Sequence, residues 1–282
     1  MDLSIIIRVK DDIRIKECIE SIDENVEKLV VLNTPTDRVR ELVSQLNVRT
    51  IEINNNNLAK AYNVGIEASS YENILLMDSD CIFDKGTIKK LYNGLKKAPL
   101  SKGRIIFTYK SLNGKIVALS REYHVTDIIN AYAPPLAFNK KIKNKIEGYF
   151  FDEDLFWTED HEFDQRVKRV GLSIEYNPDA IIKHDELSFR SDLKSSFYYG
   201  AGYFEGIYKG VTKPCFLYGG NKTLLSSMIY DMLRATAFSV LFIDVIKKKG
   251  LLPAIFMSIW MFAFSIGYYS QALFNILGKD KK

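Results

Sequence analysis

Four short apolar runs, at residues 3–9, 28–32, 50–53 and 73–77, alternate with stretches of helical spacing at 13–22, 38–46 and 58–68. Strands that recur with a helix between them wind into a largely parallel sheet, because a helical crossover returns the chain to the start of the next parallel strand. The first third of the chain is therefore constrained to a wound α/β sheet. The fourth run leads directly into Asp78-Ser79-Asp80. Ligands of open α/β sheets bind beyond the carboxyl ends of the strands. Asp78, Ser79 and Asp80 thus stand where a ligand is expected.

Beyond a helix expected at 86–97 the pattern loosens into strand-like pieces at 104–109 and 115–119 and an irregular Tyr132-Ala133-Pro134-Pro135 segment. The stretch FWTEDHEFDQRVKRVG at 156–171 predicts one clear helix. Strand-like residues 173–176 and 180–183 end at His184, and 192–209 has helical spacing despite its glycines. The expected organisation is a first half at 1–100, a second half at 101–215 and a C-terminal segment at 216–282. Within that segment, 223–249 is apolar but interrupted by Asp231, Arg234 and Asp244 and closed by Lys247, Lys248 and Lys249, the character of a helix lying along an interface. Residues 251–278 hold no charge over 28 positions, more than the roughly 20 that cross a bilayer as a helix. A tilted span, a re-entrant hairpin broken at Pro253 and Gly267, and a helix buried in a homo-oligomer all fit that run. The flanking lysines favour an anionic leaflet, and the chain is expected at the cell membrane with its other residues on the cytoplasmic side.

A formal charge of +4 over 282 residues, without zinc-finger spacing or a long basic helix, argues against nucleic acid as a partner. Cys18, Cys81 and Cys215 are odd in number and far apart, which gives neither a disulfide framework nor a metal-ligand pair and points to a reducing compartment. The opening apolar run is too short and too quickly followed by charge for a signal peptide.

Asp78 and Asp80 are two residues apart, so on an extended backbone their carboxylates point the same way. At about 5 Å they repel by about 3 kcal/mol at an effective dielectric near 20. A hard divalent cation, Mg²⁺ or Mn²⁺, bridging to a diphosphate removes that repulsion; the alternative is an Asx-type turn with no ligand.

Taken in order, SIIIRVKDD, VVLNTPTD, NLAKAYNVGIEAS, ILLMDSD, TEDHEFDQRVKRVG and AIIKHDE resemble the family 2 glycosyltransferases of GT-A fold, over roughly residues 3–210. The resemblance implies a Rossmann-like, wound mixed sheet with helices on both faces, followed here by the membrane-associated C-terminal helices. It implies inverting transfer of a sugar from a nucleotide-diphosphate donor to a hydroxyl acceptor, which the C-terminal segment suggests is a glycan or lipid-linked precursor of the cell envelope. The D-x-D pair that binds metal and donor diphosphate maps onto Asp78 and Asp80, with Ser79 between them. The base maps onto Asp160, and a histidine completing the metal site onto His184. Contacts to the nucleotide map onto Arg8, Asn33, Asp37, Asn63 and, with less support, Lys60. Two positions depart from the family pattern. Leu32-Asn33-Thr34-Pro35-Thr36-Asp37 replaces D-D-G-S-T-D, and Asn57 stands for the glycine before the third helix, a residue that tolerates a left-handed backbone.

Within 156–171, Phe163, Val167 and Val170 recur at helical spacing and predict the buried face, with Asp160 one turn earlier on the same side. Glu162 with Arg166, and Asp164 with Lys168, are i,i+4 pairs worth about 0.2–0.5 kcal/mol each and are expected on the surface. The helix N-terminus is expected to lower the Asp160 pKa. His124 and His161 read as surface residues. The aromatic run at 197–199 with Tyr203, Phe204 and Tyr208 reads as a packed helix face or, alternatively, an acceptor groove. Two other functions compete. A sugar nucleotidyltransferase or aspartyl phosphatase would be expected to show a glycine-rich loop after the first strand or a D-x-D beside it, whereas Arg8-Val9-Lys10-Asp11-Asp12 stands there; a non-catalytic membrane-bound scaffold would keep the fold without binding a donor.

Overall fold

The computed structural model describes residues 1–126, 128–155, 157–212, 229 and 240–279. Cys215 and the start of the expected interfacial segment lie outside them. The chain divides into two compact units, residues 1–106 with 125–185, and residues 107–124 with 186–282.

The first unit carries an eight-stranded sheet in the order β3-β2-β1-β4-β7-β6-β8-β5. Strands β1 (Leu3–Val9), β2 (Glu27–Asn33), β3 (Arg49–Ile53) and β4 (Asn73–Asp78) are parallel. β7 (Leu136–Asn139) runs antiparallel to β4 and to β6 (Leu100–Phe107), and β5 (Cys81–Phe83) antiparallel to β8 (Ile174–His184). Consecutive Ile5, Ile6 and Ile7 are all fully buried, so both faces of β1 are covered, which is why it reads as one apolar run.

Helices α1 (Ile15–Glu20), α2 (Asp37–Ser44), α3 (Leu58–Ala68) and α4 (Thr87–Gly94) follow strands. α3 lies against β1 and β2 so closely that a Cβ on Gly65 would sit 2.4 Å from Ile6 Cγ2. Asn57 does not use a left-handed backbone. It is extended, at φ −103 and ψ 128, and its side chain caps α3 by accepting from the Lys60 amide. β8 is one strand where two were expected, continuing through the exposed Pro178.

In the second unit, residues 112–125 form helix α5 (Leu112–Val125), not the strand expected at 115–119. A single strand there would leave its backbone groups unpaired, whereas the helix satisfies them within itself. After α6 (Glu159–Arg169) of the first unit come α7 (Phe189–Tyr208), α8 (Val240–Lys249) and α9 (Leu251–Lys279). α9 is continuous over 29 residues, so the broken hairpin is not formed. Pro253 lies in its first turn, where a missing N–H costs nothing. α7 and α9 touch through small residues: a Cβ on Gly200 would meet the Phe264 carbonyl at 1.9 Å, and one on Gly267 the Phe197 carbonyl at 1.9 Å. Tyr203 and Phe204 pack with Tyr268, Tyr269 and Ala272, so that part of the aromatic run is core. Residues 251–277, with mean hydropathy 1.7 over an 18-residue window, form the one helix among the described residues that is long and apolar enough to cross a membrane. His124 is only partly exposed and contacts Met257 and Trp260.

Candidate active site

Strand order 3-2-1-4 means that the connections leave β1 and β4 in opposite directions, and the crevice such a reversal opens lies at their carboxyl ends. The register there pairs Arg8 directly with Asp78. Arg8 Nε donates to Asp78 Oδ1 at 2.8 Å, the Tyr62 hydroxyl donates to the same oxygen at 2.7 Å, and the guanidinium lies 4.7 Å from the Tyr62 ring centroid. A charge-assisted bond of this kind fixes both groups. Arg8, expected on the nucleotide, therefore orients Asp78, and one of the Asp78 oxygens is occupied from inside the protein.

Asp80 faces the other way. Its Oδ2 lies 3.1 Å from His184 Nε2 and 3.6 Å from Arg14, which also binds Asp12 at 2.5 Å and Asp185 at 3.1 Å. Burial alone would raise the Asp80 carboxyl, but the hydrogen bond and charge of His184 and the charge of Arg14 outweigh it and hold it at about 2. His184 is correspondingly raised, burial opposing and Asp80 prevailing. Ser79 is buried in the turn between the two aspartates.

The donor atoms of Asp80, Cys81 and His184 all lie within 4.8 Å of one another. A carboxylate, an imidazole and a thiol so disposed fit a divalent cation. Asp78 is not in that group, because Arg8 and Tyr62 draw it away.

Asp160 stands in the first turn of α6, which the chain enters through Trp157 at φ 70, an uncommon backbone for a bulky residue. Its pKa is not lowered. Burial first, and the adjacent Glu159 second, push it up to about 7, against the pull of the His161 amide, Arg8 and Lys102. Helix-dipole stabilisation is smaller than the desolvation of a carboxylate. Glu159, 5% exposed, is raised by its own burial despite Arg8. Lys102 of β6, 2% exposed, donates to the Tyr132 and Pro134 carbonyls; burial lowers it to about 8, although Asp160, Asp164 and Asp78 act to raise it.

The rest of α6 corrects the expectation of surface pairs. Glu162 and Arg166 are each 1% exposed and joined at 2.6 Å, and Arg166 also donates to the carbonyls of Ile146, Tyr149 and Phe150. Asp164 is buried and accepts from the Ala131 amide as well as from Lys168. Val170, expected inside, is exposed. His161 is only partly exposed and its Nδ1 pairs with the Tyr132 hydroxyl.

Of the expected nucleotide contacts, Asn63 bonds the Phe151 backbone in both directions through its amide and reaches Glu153, while Lys60 lies 3.9 Å from Glu153. Asp37 is fully exposed at the start of α2 and pairs with Arg40. Asn33 is different. It is 5% exposed, its Nδ2 donates to the Asn57 carbonyl, and its Oδ1 has no partner among the described residues. Sequence reasoning missed Arg14, Tyr62, Cys81, Lys102 and Glu159 at this site. Lys102 carried no distinct signal, because Arg104 stands two residues on in the same strand, LSKGRIIF.

The profile of glycosyl transferase family 2 matches residues 4–145, just over half of the chain. No curated protein sequence matches it. Among solved structures, the mannosyltransferase PcManGT of Pyrobaculum calidifontis, in complex with GDP-Man and Mn²⁺, superposes with a TM-score of 0.64 at 14% identity, covering 95% of this chain and 86% of that one. TarS 1–349 of S. aureus in complex with UDP-GlcNAc gives 0.54 at 14% identity, covering 96% and 92%. A second TarS structure gives 0.52 at 15% identity, covering 86% of this chain, which spans 44% of that longer one.

Proposed function

The chain belongs to glycosyl transferase family 2 and has the GT-A fold, and from that premise we propose that it transfers a sugar from a nucleotide-diphosphate donor to a hydroxyl acceptor with inversion, using Asp160 as the base. The observation that carries the proposal is that Asp160, a carboxylate raised to about 7, shares the fields of Arg8 and Lys102 with Asp78, beside Asp80, Cys81 and His184, which could hold a cation. Inversion needs both. The acceptor oxygen bonds to the anomeric carbon as the bond from that carbon to the diphosphate oxygen breaks. The leaving group takes the electron pair, and the acceptor proton passes to an Asp160 oxygen. A carboxylate with pKa near 7 is about half ionised at neutral pH and more basic than an exposed aspartate, which suits that transfer.

Asp80 and His184 would hold the cation, and a bound cation would absorb the negative charge that develops on the diphosphate. Arg8 keeps Asp78 in place, Lys102 favours the ionised form of Asp160, and the orphaned Asn33 Oδ1 is an acceptor suited to an N–H of the nucleobase. The acceptor we propose is lipid-linked and the protein membrane-associated, with the first unit on the cytoplasmic side. Leu252, Ile255, Ile259, Phe262, Ile266 and Leu273 of α9 are all exposed, at spacings that lay them along one face.

The test is a thermal-shift screen of UDP-, GDP- and dTDP-sugars with Mn²⁺ and with Mg²⁺. One nucleotide sugar should stabilise the protein by about 2.7 kcal/mol at 100 times its dissociation constant, only with the cation present, and be hydrolysed or transferred. No stabilisation by any of them would overturn the reading in favour of a scaffold.

A further inference from the structure

Cys81 stands directly opposite His184 in the antiparallel register of β5 and β8, so the two side chains leave the same face of the sheet. Its Sγ is 3.5 Å from Asp80 Oδ1, and His184 Nε2 is 3.1 Å from Asp80 Oδ2. A cation with bonds of about 2.0–2.3 Å to oxygen, nitrogen and sulfur holds neighbouring tetrahedral ligands about 3.3–3.7 Å apart. The sulfur–Asp80 separation falls in that range and the His184–Asp80 separation just below it, on the two different Asp80 oxygens, and all three donor atoms lie within 4.8 Å of one another, so small side-chain shifts bring them to one cation. His184 is also oriented for ligation: its Nδ1 faces the Asp185 carbonyl at 2.7 Å, which can only accept and keeps a proton there, so Nε2, which faces Asp80, is the nitrogen that a cation would take in place of a proton.

We propose that Cys81 is a third protein ligand of the donor-site cation, and that the site therefore takes a thiophilic divalent ion such as Zn²⁺, Co²⁺ or Cd²⁺ in preference to Mg²⁺. This rests on the cation-dependent reading above and goes beyond it. A carboxylate and water suit Mg²⁺, whereas a thiolate and an imidazole select softer ions. On binding, the metal–sulfur and metal–nitrogen bonds form as the S–H bond of Cys81 and the Nε2–H bond of His184 break, both protons leave to solvent, and Asp80 exchanges its hydrogen bonds from sulfur and imidazole for the cation. The remaining positions are left for oxygens of the donor diphosphate.

The full chain, reduced with a phosphine, is titrated with Co²⁺ in the presence of UDP and, separately, GDP. The wild type and the Cys18→Ser and Cys215→Ser proteins should each develop the near-ultraviolet sulfur-to-cobalt charge-transfer band. Cys81→Ser should lose that band while keeping the visible cobalt bands that Asp80 and His184 support. By calorimetry Cys81→Ser should lose at least about tenfold in Cd²⁺ affinity, no less than removal of an outer-sphere partner costs, with Mg²⁺ affinity unchanged. Far-ultraviolet dichroism confirms its fold, with Cys81→Ala as second variant; should both misfold, the wild-type band and its survival in the other two serine variants decide. Cobalt binding without a sulfur band, or a band that survives Cys81→Ser, overturns the thiol ligand and leaves the proposed function standing. No cobalt binding with either nucleotide overturns both.

Discussion

Replacing Asp160 by Asn should make the protein more stable and nearly inactive, and the stability gain should depend on pH. Burial and Glu159 raise the Asp160 carboxyl from 3.8 to about 7, a shift of about 3 pH units. At 1.36 kcal/mol per unit the folded state bears at most about 4 kcal/mol for holding this group ionised. Partial solvent access and the shared field of Glu159 reduce that to about 1–2 kcal/mol. The sign follows from proton counting. Between pH 4 and 7 the folded chain keeps a proton that the unfolded chain has released, so stability falls as pH rises and the full penalty stands above 7. Asp160→Asn removes the penalty. Its gain in urea denaturation should be small at pH 5 and full at pH 8, with each kcal/mol moving Tm by about 2–4 °C. Transfer should fall by about 10²–10⁴-fold, the usual share of a general base, while donor binding is kept. An equal gain at both pH values, or transfer within tenfold of wild type, would refute the reasoning.

Glu162→Ala leaves Arg166 buried without its carboxylate and should lower stability by about 3–5 kcal/mol in urea denaturation, whereas an exposed pair would change it by less than about 1 kcal/mol. Gly267→Leu drives a side chain into the Phe197 carbonyl of α7 and should destabilise the second unit by about 1–3 kcal/mol or more, read as a lowered melting point in detergent. Asn33→Ala should weaken nucleotide binding by about 1–3 kcal/mol in calorimetry, the cost of an unmade bond to a buried group, and do so with the free nucleotide as well as the sugar-bearing one. Chelation of divalent cations should abolish donor-induced stabilisation in the thermal-shift screen, and restoring Mn²⁺ should recover it.

The sheet was legible where burial on both faces writes a strand as an unbroken apolar run. β1 and β4 fall within a residue of their expected bounds for that reason, and α3 does so because of its helical apolar spacing and the Asn57 cap. α5 was not legible, because the short apolar run at 116–119 fits a buried strand as well as a helix, and packing of Val117 and Ala118 settles it. Nor was the burial of Glu162 and Arg166, since i,i+4 spacing is the same on a surface and in a core. What draws that pair inside is the set of carbonyls at Ile146, Tyr149 and Phe150, supplied by a loop about 20 residues away. The direction of the Asp160 pKa shift failed for the same reason: the helix terminus is written in the sequence, and the desolvation around it is not.

Charge explains why these acids can share one place. Asp12, Asp78, Asp80, Glu159, Asp160 and Asp185 gather around Arg8, Arg14 and Lys102 with His184. The three cations do not match six ionised carboxylates, and the fold relieves the excess unevenly. Arg8 neutralises Asp78 by direct contact, Arg14 and His184 hold Asp80 ionised at about 2, and the surplus is left at Glu159 and Asp160, whose burial raises both. On the proposed reading such a site would disfavour a diphosphate without an added divalent cation, so the cation would set the electrostatic condition for donor binding as well as for departure of the leaving group. In the proposed mechanism the same unevenness divides the acids between roles: Asp80, held most acidic, belongs to the cation-binding group, and Asp160, held more basic, is left for the acceptor's proton.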